Sequence, residues 1–358
     1  MLYILSAYHA QSHKYWVQRI QKYVPENILF ELSPRYFNWR FQGNALIFQD
    51  LLKDTLVGSR DCILATSMVN LATLVGLKSQ MADAHLCLYF HENQFQYPIN
   101  NNIQGSVERK LTSLYSALAA HSIAFNSHYN KSSFLEGLEL FLKKLPEKIP
   151  GDPVTTIENK SQVIPVPIRR AQKVLPDWKT NSTKLRIVWN HRWEYDKDPE
   201  ALYWIVKGLH DANFEFSISI LGQRFRESPE GFSRILSEFP QRISAFGFIE
   251  DHQEYQSHLK TADIVLSTAN HEFQGLALQE AVCLGLLPIA PSGLAYEEYL
   301  PKCYIYQNHT DPRKKSQNAI QLIEGIARSR IQRKPIDLVG YGEDKLRNQY
   351  LKWLRIDD

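Results

Sequence analysis

The chain predicts two doubly wound α/β domains, and three observations carry that expectation. Short apolar runs alternate with stretches of helical spacing along most of its length. The alternation breaks once, at a polar, unpatterned stretch from Arg169 to Lys184, and then restarts. At 358 residues the chain also exceeds what a single core usually covers. Strands separated by helices build mostly parallel sheets, because each parallel crossover needs a helix to bring the chain back.

In the first half, strands are expected at Tyr3-Ile4-Leu5, Ile28-Leu29-Phe30, at 62–65, at 86–90, at 122–125 and at 163–166. Helices are expected at 15–23, 44–53, 107–120 and 133–142. The stretch from Leu145 to Pro153, with Pro146, Pro150, Gly151 and Pro153, reads as punctuation. In the second half, strands are expected at 185–189, 216–221, 243–246, 264–267, 287–290 and 304–306. Asp198-Pro199 reads as a helix start, with Asp as the cap and Pro at the first helical position. Residues 344–355 form an amphipathic helix with Leu346, Tyr350, Leu351 and Leu354 on one side, expected to pack back across the domains. The expected divisions are 1–168, 184–340 and a C-terminal helix in 341–358.

Composition is that of a globular protein, 44% hydrophobic and 22% charged. A net charge of +3 does not by itself announce a nucleic-acid binder. Cys62, Cys87, Cys283 and Cys303 are widely spaced and form no C-x-x-C pair. They read as reduced thiols of a cytoplasmic protein. Met1 to Ser6 reads as a first strand, not a signal peptide, and no apolar run approaches a membrane span.

The chemistry concentrates after strands, where open α/β sheets bind ligands. Ser267 to Ala281 reads as strand end, polar turn and helix, with Glu272 in the turn and Glu280 on the helix. A helix N-terminus beside Glu272 can hold a diphosphate, while Glu280 accepts hydrogen bonds from hydroxyls. Earlier in the same half, Arg192 and Lys197 share one strand-to-helix loop, and two cations neutralise a diphosphate leaving group. Asp196 and Asp198 flank Lys197, whose charge would repel a metal, so no metal site is read there. His91-Glu92-Asn93-Gln94 ends a buried strand, and Glu92 has the chemistry of an acid or base. The turn after the first strand has no glycine, which argues against a dinucleotide dehydrogenase; Ser12 and His13 there can cap the following helix and touch a ligand. Pro34 to Phe41 alternates cations with aromatics, a pattern suited to stacking bases and neutralising phosphates. The basic residues Arg313, Lys314, Lys315, Arg328, Arg330, Arg333 and Lys334 read as ordinary helix-end cations.

Arg192 and Lys197 five apart, followed by Glu272 and Glu280 eight apart, resemble the motif pair of the family 4 retaining glycosyltransferases. Several strings resemble, more narrowly, the tRNA-queuosine mannosyltransferases. They are Ser12-His13-Lys14, Trp39-Arg40, Tyr89 to Gln94 with Tyr97-Pro98, Phe125-Asn126-Ser127, His191 to Glu194 with Asp196 to Glu200, and Ser267-Thr268-Ala269 with His271-Glu272-Phe273. The resemblance implies a GT-B fold, two Rossmann-like domains facing across a cleft. It implies transfer of mannose from GDP-mannose to queuosine in tRNA(Asp), with retained configuration and no cofactor beyond the donor. It implies that Arg192 and Lys197 hold the diphosphate, that Glu280 binds the ribose, and that Glu272 and His91 approach the donor sugar. Phe273, Gln274, Gly275 and Leu276 would face sugar and phosphates, with Ser12 and His13 nearby, and Gly247 and Phe248 would contact the base. Trp39, Arg40, Glu92, Asn93 and Gln94 would serve the acceptor. A lipid or glycan acceptor, and a nucleotide- or RNA-binding protein without catalysis, stay open as competing readings.

Overall fold

The computed structural model of the chain describes residues 1–96, 106–176, 184–223, 229–328 and 333–356. Tyr97, Pro98, Arg330 and the 177–183 part of the expected boundary lie outside the described residues. The chain divides into two compact units, one made of Met1–Pro167 with Glu343–Asp358 and the other of Ile168–Gly342.

The first unit holds strands β1 (Leu2–Ser6), β2 (Asn27–Glu31), β3 (Cys62–Thr66), β4 (His85–Phe90), β5 (Ser122–Phe125) and β6 (Ser161–Val163). They form one parallel sheet in the order β2-β1-β3-β4-β5-β6. Every residue of β1 and β3 is buried, as expected of a parallel sheet covered on both faces. The helices of this unit are α1 (Gln11–Tyr23), α2 (Phe37–Leu51), α3 (Leu71–Leu77), α4 (Ser106–Ala119), α5 (His128–Leu142) and α6 (Pro153–Glu158).

Three of these depart from the sequence expectation. Helix α2 starts at Phe37, so Trp39 and Arg40 lie on a helix and not in a loop. Helix α3 was not expected; the Asn70 side chain caps it by accepting from the Thr73 N–H at 3.3 Å. Helix α6 sits inside the punctuated stretch, where Asp152 accepts from the Thr155 N–H at 3.0 Å and Pro153 takes the first helical position. The strand expected at 163–166 is β6, displaced toward the N-terminus.

The second unit repeats the pattern with β8 (Leu185–Asn190), β9 (Phe216–Leu221), β10 (Ile243–Gly247), β11 (Ile264–Leu266), β12 (Leu287–Pro291) and β13 (Ile305–Tyr306), in the order β10-β9-β8-β11-β12-β13. Helices α7 (Pro199–Asp211), α8 (Glu230–Glu238), α9 (His252–Thr261), α10 (Leu276–Cys283) and α11 (Pro312–Ala327) join them. A short antiparallel pair, β7 (Lys173–Val174) with β14 (Ile336–Asp337), also belongs to this unit. The sheet winds outward in both directions from the β8–β11 pair. That is the topological switch point, where the loops at the carboxyl ends of the strands diverge and leave a crevice.

The last helix, α12 (Glu343–Leu354), packs on the first unit. The Tyr350 hydroxyl takes the Trp16 indole N–H at 2.9 Å and donates to the Pro165 carbonyl at 3.0 Å, so two buried aromatic polar groups satisfy each other. Glu343 pairs with Arg19 at 3.1 Å and Lys22 at 3.2 Å. Among the described residues no helix is long and apolar enough to cross a membrane.

Candidate active site

The switch point of the second unit carries a dense cluster of buried charge. After β8 the chain turns through His191 to Lys197, and Asp198 then caps α7 by accepting from the Ala201 N–H at 3.0 Å, with Pro199 first in the helix. Lys197 is buried, and its ammonium lies 2.7 Å from the His271 carbonyl, 3.0 Å from Asp196 Oδ2 and 3.2 Å from Glu272 Oε2. An ammonium has three donors, and three acceptors are in place. Backbone bonds tie the two loops further. The Asn270 N–H reaches the Asp196 carbonyl at 2.7 Å, and Thr268 Oγ1 donates to the Lys197 carbonyl at 2.6 Å. The indole of Trp189 donates to that same hydroxyl at 2.9 Å.

Burial opposes charge on both partners of the central pair, yet both remain charged. For Lys197, Glu272 and Asp196 outweigh burial and hold the ammonium above its ordinary value. For Glu272, Lys197 and His191 outweigh burial and hold the carboxyl below its ordinary value. The second Glu272 oxygen accepts from the Gly275 N–H at 3.2 Å. Gly275 stands at φ +81°, and a Cβ there would lie 2.6 Å from the Tyr296 ring and 2.7 Å from the Tyr299 hydroxyl. Neither conformation nor space admits a side chain. Helix α10 then starts at Leu276 with no side-chain cap, so its first N–H groups and its positive dipole end lie beside Glu272.

Arg192 is half-exposed and pairs with Glu194 at 3.1 Å. Burial pushes the Glu194 carboxyl up. His191 is buried with no partner at Nε2. Burial first, then Lys197, takes its pKa down to about 4 against the pull of Glu272 and Asp196. At neutral pH the ring is therefore uncharged, with one donor and one acceptor nitrogen. Phe273, Gln274 and Gly275 are buried, with the Gln274 amide donating to Gln279 Oε1 at 3.1 Å, and Leu276 is partly exposed.

A second polar group lies along α10. The Asn190 amide donates to the Tyr255 hydroxyl at 2.9 Å and to the Ala277 carbonyl at 3.0 Å, while its Oδ1 is buried without a partner. Burial raises the Glu280 carboxyl against the pull of Arg169, and Glu280 in turn helps raise Tyr255. Gly247 ends β10 and Phe248 is half-exposed just beyond it. The second unit thus brings together Arg192, Lys197, Glu272 and the start of α10, with Glu280 one turn into that helix.

In the first unit, His91 directly follows β4, with its ring stacked on His13 at 4.2 Å and edge-on to Trp16 at 4.8 Å. Its Nε2 is buried without a partner, and burial with the His13 ring nearby holds its pKa well below the ordinary value. Asn93 donates to Asn130 Oδ1 at 2.8 Å and Ser133 Oγ at 3.0 Å, and accepts from the Phe95 and Gln96 N–H groups. Asn130 bonds the Phe90 carbonyl at 3.0 Å and Asn126 bonds the His91 carbonyl at 2.9 Å. The donors and acceptor of Asn93 are engaged inside the protein, so it holds the loop after β4 and does not offer itself to an acceptor. Gln94 is also buried, and Glu92 is partly exposed. Ser12 does not cap α1: Ala10 holds that position without a side-chain bond, and Ser12 is an exposed second residue. His13 is buried under His91.

A tRNA-queuosine alpha-mannosyltransferase from Drosophila melanogaster is 32% identical over 329 residues, covering 88% of this chain and 85% of the relative. The chain belongs to the tRNA-queuosine alpha-mannosyltransferase family. A family profile described as the N-terminal part of tRNA-queuosine alpha-mannosyltransferase matches residues 1–168. Solved structures bear out the GT-B fold. A trehalose-phosphate synthase from Burkholderia xenovorans superposes with a TM-score of 0.64 at 11% identity, covering 99% of each chain. A lipopolysaccharide outer core galactosyltransferase gives 0.63 at 12%, covering 99% of this chain and 98% of that one. The pneumococcal O-GlcNAc transferase gives 0.61 at 14%, with 87% of this chain covered but 60% of that one. This family member is a glycosyltransferase.

Sequence reasoning misses one residue of this buried cluster outright. Lys315 reads from the sequence as a helix-end cation, yet it is fully buried. Its ammonium contacts the Thr268 carbonyl at 2.7 Å, Asn270 Oδ1 at 2.7 Å, Asp198 Oδ2 at 3.0 Å and the Ala269 carbonyl at 3.3 Å. It latches the loop before Glu272 to the cap of α7. The signal was in the helical period: Lys315, Ala319, Ile323 and Ile326 share the inward face of α11. Arg313 also departs from the helix-end reading, with its guanidinium 4.2 Å over the Trp204 ring. Nothing in the sequence around His191 marks it as a buried ring beside Glu272.

Proposed function

We propose that this chain moves mannose from GDP-mannose to queuosine in tRNA(Asp), in the cytoplasm, with the anomeric configuration retained. The observation that carries the proposal is the Lys197–Glu272 pair at the switch point, beside an uncapped helix start. A diphosphate leaving group gathers negative charge as the sugar–oxygen bond breaks, and preorganised donors there stabilise that charge most. Arg192 is the half-exposed cation of the loop and takes the phosphates together with the first N–H groups of α10. Lys197 already has three partners, so it meets a phosphate only by releasing one; otherwise it fixes Glu272.

Glu272 orients the mannose through its hydroxyls. Both its oxygens are already bonded, which favours orientation over nucleophilic attack. His191, neutral and unpartnered at Nε2, supplies a further hydrogen bond to sugar or phosphate, and His91, also unpartnered at Nε2, is assigned to the donor sugar. Glu280 accepts from the ribose hydroxyls, and Gly247 with Phe248 meets the base. The acceptor hydroxyl attacks the anomeric carbon on the face the diphosphate leaves. The new carbon–oxygen bond forms there as the old one breaks, and the hydroxyl proton passes to the departing phosphate oxygen. Protein cations neutralise the leaving group, so no cofactor beyond the donor is assigned. Trp39 and Arg40 serve the tRNA, together with Glu92.

The test is incubation of queuosine-containing tRNA with a panel of nucleotide sugars, followed by mass analysis of the nucleosides. The expected result is one hexose added to queuosine with GDP-mannose alone. Transfer from a UDP sugar, or to a lipid or glycan and never to tRNA, would overturn the assignment.

A further inference from the structure

The first turn of α2 presents an aromatic surface that the donor chemistry leaves unused. Tyr36 is 76% exposed and Trp39 54% exposed. A Cβ placed on Gly43 would lie 2.7 Å from Cη2, 2.8 Å from Cζ2 and 2.8 Å from Cζ3 of Trp39. A point equally far from three atoms of a hexagon lies on the axis through its centre. The six-membered ring of Trp39 is therefore seated face-down on Gly43, one helical turn along, with its opposite face toward solvent. Glycine is a poor residue inside a helix, and at this position it clears the space the ring occupies. The sequence from Leu32 to Gln49 carries Arg35 and Arg40 and no carboxylate. Arg109 adds a third cation: its guanidinium donates to Asn38 Oδ1 at 2.9 Å, which holds the start of α4 beside the start of α2.

We propose that Trp39, held flat by Gly43, is a stacking platform for one unpaired base of the RNA acceptor, with Arg35, Arg40 and Arg109 at the flanking phosphates. This rests on the tRNA reading above and names the part of the RNA that the surface takes. An aromatic ring fixed in place loses little freedom when a base settles on it, and every base offers a face to stack. A polyanion matches the cations around it. An exposed Leu46 lies further along the same helix, so a lipid surface is the competing occupant that the test must separate.

The test uses the full chain and two labelled probes, unmodified tRNA and a mixed-sequence single-stranded RNA, followed by fluorescence anisotropy. Trp39→Ala should weaken both by about tenfold, the range found when a stacking aromatic is removed. Gly43→Ala should weaken them in the same direction, because the added methyl group lifts the ring, while its thermal midpoint stays at or above that of the parent. Trp39→Tyr should keep most of the affinity, and Arg40→Gln should lower the salt slope by about one. GDP affinity should be the same in all four. RNA binding unchanged in Trp39→Ala would overturn the proposal, as would binding to anionic vesicles in place of RNA. The outcomes separate from those of the sugar panel. Failure to transfer mannose, with RNA binding lost in Trp39→Ala, refutes the transfer reaction and keeps the platform. Transfer with an unaltered KM for tRNA in Trp39→Ala does the reverse.

Discussion

The two units finish corresponding strand ends in opposite ways. In the second, the loops after β8 and β11 are joined by buried charges: Lys197 among Asp196 and Glu272, and Lys315 on Asp198. In the first, the loop after β4 is joined by neutral amides, with Asn93, Asn126 and Asn130 bonded to one another, to Ser133 and to the backbone. Both arrangements fix a loop. Buried charges also create a field, and a field is useful where a ligand carries or develops charge. A neutral network fixes geometry without one. The difference fits the proposed reading, in which the diphosphate belongs to the second unit and the first offers groups that stack and hydrogen-bond.

The largest expected effect comes from breaking the charged network at its buried end. Lys315→Met leaves Asp198 buried with no compensating charge, and unfolding free energy should fall by about 3–5 kcal/mol in denaturant titration. A loss below about 1 kcal/mol would mean that the latch is not needed. Next is Lys197→Ala, which removes the ammonium between Asp196 and Glu272. The rate of sugar transfer should drop by roughly 10²–10³ in a steady-state assay, and an unchanged rate would remove Lys197 from the site.

His191 sharpens the contrast through pH. Its folded-state value of about 4 lies below the ordinary 6.5. As pH falls through 6.5 the unfolded chain takes up a proton that the folded chain refuses until about pH 4. The stability this gives is full above 6.5 and is lost between 6.5 and 4, by up to about 3 kcal/mol. His191→Gln should flatten that stretch of the stability profile; a profile as steep as the parent's would show that another group titrates. The smallest effect is expected in the neutral network. Asn93→Ala leaves Asn130 and Ser133 short of a partner and should lose about 1–3 kcal/mol, with no change in pH slope. A new pH slope in that variant would erase the distinction between the units.

Most strands were legible because parallel strands buried on both faces read as continuous apolar runs, as at Ile264-Val265-Leu266. Helix starts are legible where an Asp-Pro pair precedes clear helical spacing. Asp198-Pro199 and Asp152-Pro153 cap their helices in the same way, but Pro146, Pro150 and Gly151 just before the second make it read as punctuation. Helix α3 was missed because its run Leu-Ala-Thr-Leu-Val-Gly-Leu is too short for periodicity to separate from a loop. Within the site, the spacing of Arg192, Lys197, Glu272 and Glu280 pointed to one crevice. Spacing cannot show which cation faces solvent and which is enclosed by carboxylates. Nor can it show that Lys315, far along the chain, closes the arrangement, since that follows from how α11 packs.

The most direct measurement is calorimetric titration of GDP into the parent chain, Arg192→Gln, Glu280→Gln and Asn93→Ala. The expected result is a loss of about tenfold or more in affinity for each second-unit variant, the scale of one charge-assisted hydrogen bond, and parent-like binding in Asn93→Ala. Equal affinity in all four, or a loss confined to Asn93→Ala, would contradict placing the nucleotide in the crevice between β8 and β11.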